Sequence, residues 1–196
     1  MQMELAGQRA HPLRGERVNG PDDQTRFARV VLPHLAEAYA LARWLTGNGT
    51  DAEDVVQDAC LRAFRGIAGF REGNARAWVL TIVRHTAYSW LGKNRPATLV
   101  VNDDVEGVEG AEITSGDAEA ETEMIAKADA ARLQAAIQKL PPPFRETLVL
   151  RDLHGLDYRQ IAKVTGVPIG TVMSRLARAR RRLMTTIARD ENDAAA

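Results

Sequence analysis

Aromatic residues are scarce in this chain, 5% of its 196 residues, and cysteine is nearly absent. The lone Cys60 excludes an intramolecular disulfide framework and any cysteine-rich zinc site. No apolar run approaches the roughly 20 residues of a membrane-spanning helix. The N-terminal stretch MQMELAGQRAHPLRGERVNG also lacks the hydrophobic centre of a signal peptide. The expected location is the cytoplasm. Strand-type runs are few while alanine and leucine abound, so an all-α protein is expected. His11, His34, His85 and His154 have no metal-ligand spacing to one another or to Cys60. Phosphate-binding loops and nucleophile–base signatures are missing too, so no metal, cofactor or catalytic residue is expected. Cys60, among small apolar residues, reads as a packed thiol.

Net charge is missing as well, with 26 basic side chains against 26 acidic ones. That balance averages over unlike segments. Residues 1–23 carry 3 basic and 4 acidic side chains, and residues 24–96 carry 10 and 6. Residues 97–125 carry 0 and 9, and residues 126–190 carry 13 and 5. Two basic segments flank an acidic one, an asymmetry that speaks about partners rather than fold.

Pattern along the chain divides it further. Residues 1–23, polar and rich in Gly, Pro and Arg, read as a flexible arm. From about Gln24, Phe27, Val30, Val31, Ala38, Leu41, Ala42 and Leu45 fall at helical spacing, and TGNGT ends that helix. Thr50 with Glu53 predicts a capping box opening a second helix over 51–66, with Ala52, Val55, Val56, Ala59, Ala63 and Phe64 inward. A third helix, RAWVLTIVRHTAYSWLGKNR, carries two tryptophans, and Pro96 closes a first domain of residues 24–96. Residues 97–125 read as an acidic flexible linker able to span on the order of 100 Å when extended. Its acids can also lie over the basic domains as phosphate surrogates.

A second domain is expected over 126–190, ahead of a short tail at 191–196. Leu133, Ala136, Ile137 and Leu140 stripe one helix, which PPP terminates, and Phe144, Leu148, Leu150 and Leu153 mark another. Asp157 with Gln160 predicts a capping box for the short helix YRQIAKV. TGVP then turns the chain, and Pro168 suits the first turn of the last helix. There Val172, Leu176, Ala179 and Leu183 form a buried stripe, while five arginines crowd into residues 175–182. Two helices joined by a short Gly-containing turn form a helix-turn-helix. Such a motif lays its second helix in the DNA major groove. The stripe docks that helix, and the arginines are placed to meet phosphates.

The stretch LPPPFRETLVLRDLHGLDYRQIAKVTGVPIGTVMSRLARARRRL resembles the promoter-binding C-terminal domain of bacterial sigma factors. TDAEDVVQDACLRAFRGIAGF followed by ARAWVLTIVRHTAYSWLGKNR resembles their N-terminal domain. Both together, with no folded middle domain, resemble the extracytoplasmic-function group. The resemblance implies two small helical domains that bring core RNA polymerase to promoter DNA. It assigns Asp54, Gln57 and Asp58 to the largest-subunit coiled coil of the polymerase. A minus-ten face would comprise Arg71, Asn74, Arg76, Trp78, Arg84, His85, Tyr88, Lys93 and Arg95. Thr171, Ser174, Arg175 and Arg178 match minus-thirty-five contacts, with Arg181 and Arg182 beside them. The flap of the polymerase and an anti-sigma factor are further implied partners, and the latter can hold the chain at a membrane.

Ser89, Gly92 and Met173 depart from the family's usual residues and bear on promoter preference. Two other readings compete. A conventional helix-turn-helix regulator would explain 126–190 but leaves the acidic patch and tryptophan-bearing helix unexplained. A sigma-like decoy that only sequesters an anti-sigma factor would tolerate loss of DNA contacts, yet the arginines remain.

Overall fold

The computed structural model describes residues 21–71, 73–96 and 120–194. Residues 1–20 of the expected arm, 97–119 of the expected linker and 195–196 lie outside them. All regular structure among the described residues is helical, in two domains.

The first domain contains α1 (Pro21–Val30), α2 (Leu35–Thr46), α3 (Gly49–Gly66) and α4 (Ala75–Asn94). The single helix expected from Gln24 to Leu45 is two helices. Pro33 has no N–H to continue an α-helical ladder, and the chain passes through a 3-10 turn at Leu32–His34. The first helix also starts at Pro21, so the arm's last three residues are helical.

Gly47, at φ 92°, ends α2 in the left-handed region where a side chain would be strained. The cap of α3 is Asn48 and not Thr50, its side chain accepting from the Asp51 N–H at 2.8 Å. Helices α2, α3 and α4 pack on one another around Leu41, Leu45, Ala52, Val55, Leu80 and Val83. Phe27 of α1 meets Phe64 of α3 edge-on at 5.5 Å, and Arg26 donates to the Phe70 carbonyl, tying α1 to the segment that follows α3.

The second domain contains α5 (Ala120–Gln138), α6 (Pro142–Leu148), α7 (Tyr158–Thr165) and α8 (Ile169–Ala194). Helix α5 takes in the last six residues expected in the linker, and α8 runs through most of the expected tail. Leu133 and Leu153, expected inside, are exposed, whereas Ala136, Ile137, Leu140, Phe144, Leu148 and Leu150 are buried. Leu153 ends the π-helical turn Val149–Leu153, whose wider winding turns it outward. The capping box of Asp157 and Gln160 is present in both directions, at 2.8 and 2.9 Å. Gly166, at φ 70°, makes the turn into α8. Val172, Leu176 and Ala179 are buried and Leu183 is half-buried, so the expected stripe docks α8 on α6 and α7.

The domains touch. Helix α6 packs on α2, and α7 packs on α4. Arg145 of α6 is nine-tenths buried and fans across the junction. Its Nη1 donates to the carbonyls of Trp44 and Leu45 at 2.9 and 3.3 Å, and its Nη2 to those of Gln138 and Leu140 at 2.6 and 2.9 Å. One guanidinium thus satisfies orphan carbonyls at the C-terminal ends of α2 and α5, where a cation also complements the helix dipole.

Candidate polymerase and nucleic-acid interfaces

Helix α3 buries Ala52, Val55, Ala59 and Ala63, so residues half a turn away face out. Asp54 and Gln57 are exposed and Asp58 is half-exposed, placing all three on one open face within about one turn of each other. Asp58 pairs with Arg62 at 2.9 Å, an exposed i,i+4 contact that a stronger partner can displace. Leu61, 52% exposed, lies on the same face.

The nine minus-ten candidates do not form one open surface. Arg71, His85 and Lys93 are exposed as expected. Asn74 is exposed but caps α4, its Oδ1 accepting from the Ala77 N–H at 2.9 Å. Trp78 packs its ring against Phe70, centroids 4.8 Å apart. Trp90 is half-buried against the core, with Arg95 above its ring at 5.6 Å. Arg95 donates to the Thr46 carbonyl at 3.1 Å and approaches Asp51 at 3.5 Å. Arg76 pairs with Glu37 at 2.6 Å and donates to the His154 carbonyl in the second domain.

Arg84 and Tyr88 turn toward the second domain. Arg84 Nε lies 2.5 Å from Glu146 Oε1, with its N–H poorly aligned on that oxygen, so the contact is a charge pair more than a directed hydrogen bond. The Tyr88 hydroxyl donates to Glu146 Oε2 at 3.3 Å, and the Arg84 guanidinium lies 4.6 Å from the Tyr88 ring centre. Burial pushes the Glu146 carboxyl upward in pKa, opposed by Arg84, the Tyr88 hydrogen bond and Arg175. Burial and the adjacent Glu146 raise the Tyr88 phenol as well.

On α8, Ser174, Arg178 and Arg181 are exposed on the side away from the stripe. Ser174 Oγ donates to the Thr171 carbonyl at 3.0 Å, and Thr171 is half-buried. Ile169 and Met173, 42% and 52% exposed, add apolar surface at the start of this helix. The other arginines of residues 175–182 are engaged. Arg175 is half-buried and acts electrostatically on Tyr88 and Glu146, and Arg182 lies 5.2 Å from the Phe144 ring centre. Arg180 forms a two-pronged pair with Asp152 at 2.7 and 3.2 Å, which raises its pKa. The arginine cluster therefore divides between fixing the domain and facing solvent.

Sequence reasoning missed Glu37, Glu146 and His154. Glu146 had a signal: with Arg145 it is a charged pair set between Phe144 and the apolar run Leu148 to Leu150. Cys60 is half-buried, and burial raises its pKa away from the reactive thiolate. No cluster of metal-ligating side chains and no helix fit to cross a membrane occurs among the described residues.

Known proteins match this arrangement along most of its length. The family model for Sigma-70 region 2 matches residues 30–96, and that for Sigma-70, region 4, matches residues 130–183. The ECF RNA polymerase sigma factor SigE of Mycolicibacterium smegmatis is 32% identical over 169 residues, covering 85% of this chain and 63% of that protein. The RNA polymerase sigma-H factor of Pseudomonas aeruginosa is 33% identical over 162 residues, covering 81% of this chain and 84% of that one. Among solved structures, the sigma factor RpoE bound to the anti-sigma factor NepR from Bartonella quintana matches with TM-score 0.64 and 28% identity. That match covers 83% of this chain and 96% of the other. CnrH bound to the cytosolic domain of CnrY matches with TM-score 0.59 and 25% identity, covering 85% and 90%.

Proposed function

The chain belongs to the extracytoplasmic-function group of sigma-70 RNA polymerase sigma factors, and we propose how its surfaces divide the work of initiation. Asp54, Gln57 and Asp58 anchor the chain to the coiled coil of the polymerase's largest subunit. An acidic, exposed helical face suits a basic partner and speeds its capture. Ser174, Arg178 and Arg181 on α8 meet the minus-thirty-five duplex, the first two at base edges and Arg181 at phosphate. Arg71, His85 and Lys93 are the first side chains to meet the minus-ten strand. Arg76, Arg84 and Tyr88 join them only when the domains part.

The observation that carries this reading is the pairing of an open acidic face on α3 with a solvent-facing basic side of α8 in one chain. A helix-turn-helix regulator has no use for the first. Control by an anti-sigma factor is the natural extension, since RpoE and CnrH were solved with NepR and with a domain of CnrY. The test is assembly. The purified chain should co-elute with core polymerase and give a footprint over two separated elements upstream of one start site. A footprint over a single element, unchanged when core polymerase is omitted, would instead identify a conventional regulator.

A further inference from the structure

The first turns of α8 carry an apolar pair that packing does not explain. Ile169 and Met173, 42% and 52% exposed, stand outside the packed core, which Val167 before them and Val172 between them both join. Four residues apart, they lie on one side of the helix, separated by about 6 Å along its axis. Met173 follows Val172 of the buried stripe by about 100° of helix rotation, so its side chain stands clear of the docking face. Ser174 is its exposed neighbour, and Arg178 and Arg181 continue the exposed surface along the helix. An apolar patch running into exposed cations fits a polyanion that also displays methyl groups. Duplex DNA has that chemistry, with phosphates along its edges and the C5-methyl of thymine in the major groove.

We propose that Ile169 and Met173 read thymine methyl groups in the minus-thirty-five element, setting a preference for T·A pairs at two positions. The inference rests on the assignment of α8 to that duplex, in which the start of the helix is the part nearest the base edges. Methionine is unbranched and adaptable, so it can close around a methyl group. Selection works in both directions. A thymine methyl against Met173 leaves water, whereas a G·C pair there sets the cytosine amino donor or the guanine acceptors against a side chain that cannot satisfy them. Base pairs stack about 3.4 Å apart, so the two positions lie within about two steps of each other. Ser174 and Arg178 supply polar contacts, and the apolar pair supplies discrimination that salt does not screen.

The test uses the full chain assembled with core polymerase and a labelled duplex spanning the footprinted upstream element. Each thymine on either strand is replaced in turn by deoxyuridine, which removes one methyl group and leaves base pairing intact. Two positions should weaken binding by about fourfold each, the worth of one buried hydrocarbon group, and equally at two salt concentrations. Met173→Ala should bind the unmodified duplex about fourfold more weakly and become indifferent to deoxyuridine at one of them, and Ile169→Ala at the other. Both side chains are exposed, so helix content by circular dichroism should not change. Met173→Arg should move the preference at its position from thymine to guanine. If deoxyuridine has no effect while Arg178→Ala still weakens binding, the methyl readout is overturned and the assignment of α8 stands. If neither change matters, that assignment falls as well. A Met173→Ala chain that loses affinity for core polymerase yet keeps the full deoxyuridine response would place the pair against protein and overturn the proposal.

Discussion

The Arg145 guanidinium donates to the carbonyl of Trp44 at 2.9 Å, joining the second domain to the end of a helix in the first. Burial pushes its pKa down to about 10, still high enough for the group to stay charged at neutral pH. Removing it strands several carbonyls at once. Arg145→Met should therefore lower unfolding free energy by roughly 2–4 kcal/mol, with Arg145→Lys recovering only part because one ammonium cannot span both helix ends. Urea denaturation of the three proteins checks this, and equal stability of the Met variant would refute the role.

Charge reversal at the α3 face should act on binding alone. Asp54→Lys with Asp58→Lys leaves the buried side of the helix untouched, so helix content by circular dichroism should not change. Affinity for core polymerase should fall below detection. Retained binding would remove this face from the interface.

On α8 the solvent-facing arginines should behave differently from the engaged ones. Arg178→Ala should weaken the minus-thirty-five duplex by roughly 1–3 kcal/mol and relax preference at one position. Arg181→Ala should weaken all duplexes alike and reduce the salt slope by about one phosphate. Arg180→Ala, which breaks the pair with Asp152, should alter DNA binding least. Titration of labelled duplex at two salt concentrations separates the three.

His154 gives a pH dependence of defined sign. Burial lowers its pKa, so the folded chain resists taking a proton that the unfolded chain accepts. Above about pH 6.5 both states are neutral there, and stability is full. As pH falls through that value, the unfolded state binds the proton first and stability declines until the folded pKa is passed. The thermal midpoint of the wild type should thus drop more steeply between about pH 6.5 and 5 than that of His154→Gln. Parallel curves would rule out a buried neutral imidazole as the cause.

Local signals carried far in this chain. The stripe Val172, Leu176, Ala179 and the reciprocal cap of Asp157 and Gln160 depend on neighbours within a few turns, and both appear as the pattern implies. Local competition defeated other readings. Asn48 outcompetes Thr50 for the start of α3, and Pro33 divides a stripe that spacing alone made continuous. What no local pattern holds is the junction between domains. Arg84 reads as an exposed cation on a basic helix until Glu146, far along the chain, arrives beside it. Arginines 175, 180 and 182 likewise looked alike in sequence and differ only through Glu146, Asp152 and Phe144.

The central claim is that this chain gives core polymerase its choice of promoter, and run-off transcription tests it most directly. Purified core polymerase, the full chain and a promoter found by footprinting should yield one transcript from a defined start. That transcript should vanish without the chain and with Asp54→Lys plus Asp58→Lys, and weaken with Arg178→Ala. A transcript of equal strength when the chain is omitted, or none from any promoter when it is present, would contradict the account.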